Sequence, residues 1–250
     1  MKVRLGTLVS VLLTITPVHA NDCVILLHGL IRSPDSMSTM AESLEDAGFR
    51  VANTGYPSRD HTIDELAPKA LKSGIDQCIK TLDANTESQI HIVTHSLGGI
   101  LTRVYLHDHT IERLGRVVML GPPNQGSEAV DELKGVPGFD VINGPAGSQL
   151  GTDADSVPRK LGAVDFEVGV IAGSNSMNPL LSHLLPDEDD GKVSVAATRV
   201  EGMQDFITLP VTHTFMMRDE EVLRQTLHFL IHGRFDHPAS APAPSHSPGP

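Results

Sequence analysis

Six short apolar runs, at residues 24–27, 49–53, 90–93, 116–120, 167–172 and 205–209, alternate with longer stretches of helical spacing at 37–47, 63–82, 98–107 and 220–231. Runs this continuous in Val, Ile and Leu leave no polar face for water, so the strands they predict must be covered on both sides. Helices between successive strands supply that cover. The expected fold class is therefore α/β, with one small, mostly parallel sheet of about six strands flanked by helices.

The ends of the chain read differently. Lys2 and Arg4 precede an apolar centre at residues 8–15, and Val18-His19-Ala20 offers a small-residue cleavage site, which is the pattern of a signal peptide over residues 1–20. The apolar centre is shorter than the ~18–20 residues that a spanning helix needs, so no stable membrane insertion is expected. Export to the periplasm or beyond follows. Residues 21–235 form the expected domain, and residues 236–250, rich in Pro, Ala and Ser, form an expected disordered tail. With 31 acidic residues against 19 basic ones, the chain lacks the clustered cations that nucleic acid requires. Its two cysteines, Cys23 and Cys78, could pair in an oxidising compartment or remain separate buried thiols. Residues 121–162, rich in Gly, Pro, Ser and Asp, read as a small cap or loop region, too short for a large lid. A fairly open site without strong interfacial activation is the expectation.

The segment Thr94-His95-Ser96-Leu97-Gly98 places a serine between an apolar run and a helix start. A serine on such a turn is lifted clear of the sheet, provided that its neighbours are small. The pattern G-x-S-x-G is met except that Thr94 replaces the first glycine. A plain strand end followed by a serine-capped helix is the alternative. Serine needs a base and the base an orienting carboxylate, and in a parallel sheet these gather at the carboxyl ends of strands. Of 13 histidines, His28, His95 and His213 follow predicted strands closely, and only His213 lies well beyond the serine. His91 falls mid-strand and suits the core. His107, His109, His228 and His232 fall on helices as surface residues, and His107-Asp108-His109 lacks further ligands at metal spacing, so neither metal nor cofactor is expected. Asp190, before a glycine in Asp189-Asp190-Gly191, is the preferred carboxylate, with Asp189 second; a solvated acidic loop or a calcium-binding turn is the alternative. Backbone amides of Leu30 and Leu97 are the expected donors to an oxyanion. Ser127 and Ser176 are rival nucleophiles, but each reads as a turn or cap residue.

Together these residues identify a likeness. The motifs Leu26-Leu27-His28-Gly29-Leu30, His95-Ser96-Leu97-Gly98-Gly99, Gly121-Pro122-Pro123-Asn124-Gln125-Gly126-Ser127, Asp189-Asp190-Gly191-Lys192-Val193 and Val211-Thr212-His213 resemble those of secreted bacterial lipases and esterases of the α/β-hydrolase superfamily. The resemblance implies Ser96 as nucleophile, His213 as general base, Asp190 as its orienting carboxylate, and Leu30 and Leu97 as oxyanion amides. It also implies a small-molecule or lipid ester as substrate, with Met37 and Met40 expected at the mouth of the site, although the spacing of Met40 also suits a helix core. A thioesterase, amidase or acyltransferase would share these residues. A binding protein without catalysis would be expected to lack one of the three. Oligomeric state is left open.

Overall fold

The computed structural model describes residues 21–82, 87–177, 185 and 188–237. The expected signal peptide and residues 238–250 of the expected tail lie outside the described residues. Six strands form one sheet: β1 (Cys23–Leu27), β2 (Arg50–Thr54), β3 (Ile90–His95), β4 (Leu114–Leu120), β5 (Val168–Gly173) and β6 (Asp205–Leu209). Their order is β2-β1-β3-β4-β5-β6, and every pairing is parallel. All residues of β1, β3 and β5 are buried, as strands covered on both faces must be.

The period of two along β1 divides the core. Ile25 and Leu27 face one way and pack with Leu66, Ala70 and Leu71 of α2 (Ile63–Thr81) and with Ile100 and Leu101 of α3 (Leu97–Asp108). Val24 and Leu26 face the other way, toward Met40 and Leu44 of α1 (Ser38–Asp46) and Phe229 and Leu230 of the C-terminal helix (Glu220–His232). Helix α2 begins where Thr62 and Glu65 form a reciprocal capping box. Cys23, the first residue of β1, is disulfide-bonded to Cys78 near the end of α2, with Cα atoms 5.6 Å apart. The pairing left open by the sequence is thus made.

Residues 121–162 carry three short helices, α4 (Glu128–Leu133), α5 (Phe139–Ser148) and α6 (Val157–Lys160), which makes the C-terminal helix α7. The helical content was hidden because α4 spans six residues, while α5 is kinked at Gly144, with φ at 67°, just before Pro145. Neither gives a long periodic pattern. Buried Arg103 on α3 fastens this region, donating to the Asn124 carbonyl at 2.9 Å and the Gly162 carbonyl at 2.6 Å. Strand order reverses between β1 and β3, so the loops after those two strands open into one crevice. Among the described residues, no helix is long and apolar enough to cross a membrane.

Candidate active site

Ser96 lies in that crevice, between β3 and α3, with φ 53° and ψ −119°. A non-glycine residue on the positive-φ side is strained by about 1–3 kcal/mol and persists there only when its surroundings impose the conformation. Here they do: its N–H donates to Leu120 of β4 at 2.9 Å, and its carbonyl accepts from Gly99 at 3.0 Å. Thr94 is fully buried beneath the turn, its hydroxyl 3.5 Å from the Val118 carbonyl. Gly99 lies close over it: a Cβ there would stand 3.4 Å from the Thr94 hydroxyl, an ordinary contact, and a tighter 3.1 Å from Pro122.

The loop after β6 carries His213, which is 3% exposed. Its Nδ1 donates to Asp190 Oδ2 at 2.7 Å, while its N–H donates to the Asp190 carbonyl at 2.9 Å. The other carboxylate oxygen of Asp190 accepts from the N–H groups of Lys192 and Val193 at 3.0 and 2.9 Å. Asp189 points elsewhere, its Oδ1 accepting from Gly191 at 2.6 Å to close the turn. The choice between adjacent aspartates is therefore made by side-chain direction.

Two further residues set this geometry: His95, one of the three histidines that follow a strand, and Tyr56, which was not singled out. His95 Nε2 donates to the His213 carbonyl at 2.9 Å. Burial foremost, and then the His213 charge, hold the His95 imidazole well below its ordinary range, so it is neutral. Tyr56 stacks on His28 at 4.2 Å between ring centroids, and its hydroxyl donates to the His28 carbonyl. Burial pushes that phenol up, leaving it a donor. Tyr56 thereby anchors the loop that leads to Leu30, and the next amide, that of Ile31, is committed to Ser58 Oγ at 3.1 Å. Gly29 brings the loop against the turn: a Cβ on it would sit 2.8 Å from His95 Nδ1 and 3.1 Å from Ser96 Cβ. Sequence could not reveal these contacts, since His95 and His213 are 118 residues apart.

Ser96, His95 and His213 open together onto a cavity of about 160 Å³. Its apolar wall includes Leu30, Val130, Leu133, Phe139 and Leu150, so α4 and α5 cover the crevice, and Arg32 and Lys192 also line it. Met37 and Met40 do not line it, which corrects the expectation for both. Each is fully buried in the core cluster that holds Leu44, Met216 and Met217, because α1 turns its apolar stripe toward the sheet. Leu97 is fully buried in the other core cluster, so its side chain is also core, while its amide stands at the first turn of α3, where no intrahelical partner exists. Ser127, which shares the cavity, precedes α4 and donates to the Lys192 carbonyl at 2.8 Å. His109 stacks on Tyr105 at 4.6 Å, and its Nδ1 lies 3.2 Å from the Tyr105 carbonyl.

This architecture has a name. Residues 22–140 match the family model described as the alpha/beta hydrolase fold, and the six-stranded sheet with its helices on both faces has that fold. Among solved structures the chain is similar to the mature lipase BlEst2 of Bacillus licheniformis, at 18% identity and TM-score 0.66 over 87% of this chain and 95% of the lipase. It is also similar to the phospholipase PlaB of Legionella pneumophila, at 20% identity and TM-score 0.59 over 71% of this chain and 45% of that one. A metagenomic carboxyl esterase, MGS0156, follows at 16% identity and TM-score 0.55 over 80% of this chain and 68% of the esterase. No curated protein sequence matches the chain. At these identities the likeness is one of fold.

Proposed function

We propose that this protein is a serine hydrolase of carboxylic esters that works through an acyl-enzyme. The observation that carries the reading is the buried His213–Asp190 pair, whose histidine opens onto one cavity with Ser96 on its strained turn. On this reading the Ser96 hydroxyl attacks the ester carbonyl carbon while His213 Nε2 takes its proton. Asp190 holds His213 in the tautomer that leaves Nε2 free to accept. The tetrahedral oxyanion is met by the amides of Leu97, aided by the dipole of α3, and of Leu30. Collapse expels the alcohol, which receives the proton from His213, and water then hydrolyses the acyl-enzyme by the reverse proton path. Residues 21–235 form the hydrolase domain, and residues 1–20 are a signal peptide removed on export. The disulfide supports an oxidising compartment.

Ser96→Ala, assayed beside the wild type on p-nitrophenyl esters of graded chain length, is expected to lose about 10⁴-fold or more in kcat. Retained activity would remove Ser96 from its role, and an inactive wild type would favour a binding protein on the same fold. Matched thioester and amide substrates separate an esterase from its chemical relatives, with the ester expected to be turned over fastest.

A further inference from the structure

The charged side chains that line the cavity are both cationic, Arg32 and Lys192. They belong to the two loops that build the site, Arg32 standing two residues after Leu30 and Lys192 two residues after Asp190. Among the described residues, neither side chain has a hydrogen bond or ion pair with a carboxylate. Asp190, the nearby anion, is engaged by His213. The chain carries 31 acidic residues against 19 basic ones, so two cations at the mouth with no salt bridge among the described residues, only the more distant pull of Asp190 on Lys192, run against its composition.

The two charges also act on each other. Loss of water against the pocket wall, and then the charge of Arg32, hold the Lys192 ammonium below the ordinary lysine range. Like charges kept close together are relieved when an anion settles between them. The wall formed by Val130, Leu133, Phe139 and Leu150 offers an anion nothing, since burying a charge there without a partner costs several kcal/mol. Arg32 and Lys192, in contrast, reach solvent at the mouth.

Resting on the esterase reading above, we infer that the substrate is an ester of an uncharged acyl chain with an alcohol that bears an anionic group, a phosphate or a carboxylate. The chain occupies the apolar cavity, and the anion lies between Arg32 and Lys192 as the alcohol leaves.

The test compares kcat/KM for four esters: octanoylglycerol, octanoylglycerol 3-phosphate, the octanoyl ester of glycolate, and p-nitrophenyl hydrogen succinate, whose anion is on the acyl side. At least one of the two anionic-alcohol esters is expected to exceed octanoylglycerol by about tenfold at low salt, with the preference shrinking in 0.5 M sodium chloride. Which of the two leads tells phosphate from carboxylate. The succinate ester is expected to be a poor substrate. In Arg32→Gln/Lys192→Gln the ratio of anionic to neutral turnover is expected to fall to within about twofold of one. The main-chain N–H of Lys192 that serves Asp190 is untouched by the substitution. Should the double variant not fold, Arg32→Gln alone is expected to lower the ratio severalfold. A wild-type ratio near one, or a ratio that the substitutions leave unchanged, overturns this inference while leaving the esterase reading intact. Failure to cleave any ester, neutral or anionic, overturns both.

Discussion

His95 sits beside Ser96 in sequence, yet its visible partner is the carbonyl of His213. Because its imidazole is neutral, Nε2 must carry the proton it donates, and among the described residues Nδ1 is left buried without a partner. His95 is thus a positioning residue for the proposed base. His95→Phe, which keeps the ring and removes the donor, is expected to lower kcat about tenfold with KM changed less than threefold, and His95→Gln to recover part of the loss. A merely structural role would instead lower the amount of folded enzyme and leave kcat per folded molecule alone. The strand ends that hold Ser96, Asp190 and His213 were legible in the sequence, because parallel sheets gather reactive groups there. The preference for Asp190 over Asp189 was legible too, from its place directly before Gly191, but what separates their roles was not: Asp190 meets His213 while Asp189 accepts from Gly191 to close the turn. The methionines misled for a related reason: an apolar residue near a site loop reads alike whether its face turns outward or toward the sheet.

At the scale of elements, the strands and long helices were legible almost to their ends, for each carries its own periodicity. The short helices α4 to α6 were not, because helices of four to ten residues, the longest broken by Gly144 and Pro145, give no pattern to read. The pairing of β1 with α2 through the disulfide is a tie between two elements that already pack closely. It closes a separation of 55 residues, for which about 4 kcal/mol of stabilisation is expected from the unfolded state alone. Cys23 stands at the start of β1, whereas the loop of Gly29 and Leu30 leaves its other end. Reduction with a thiol is therefore expected to lower the urea midpoint markedly while changing the initial rate on a neutral ester by less than twofold. An equal fall in both would mean that the tie reaches the site.

For the whole molecule, pH acts through histidines that folding keeps from water. His28 and His95 are 1% and 2% exposed, and burial lowers both from the ordinary value of 6.5. In the unfolded chain each takes its proton near pH 6.5; in the folded protein each resists until lower pH. Their effect on stability is thus absent above about pH 6.5 and grows unfavourable as pH falls through the window beneath it. The slope is up to about 1.4 kcal/mol per unit for each histidine. Urea titrations at pH 7.5, 6.5 and 5.5 are expected to show a plateau between the first two and a clear fall to the third. A midpoint that is unchanged or higher at pH 5.5 would contradict the assignment. The parallel, helix-covered sheet was legible because its near-continuous apolar strands alternate with helices. The position of β1 between β2 and β3 became definite only with the sheet itself. That placement bears on Ser96, whose backbone is kept on the unfavourable side of φ by an N–H bond to Leu120 on the neighbouring strand. An isolated β3–α3 segment has no such neighbour and would relax. If Ser96 is the nucleophile proposed above, the return of its reactivity in a refolding chain would act as a clock for the docking of β4 beside β3, a folding reporter that the protein carries without any added label.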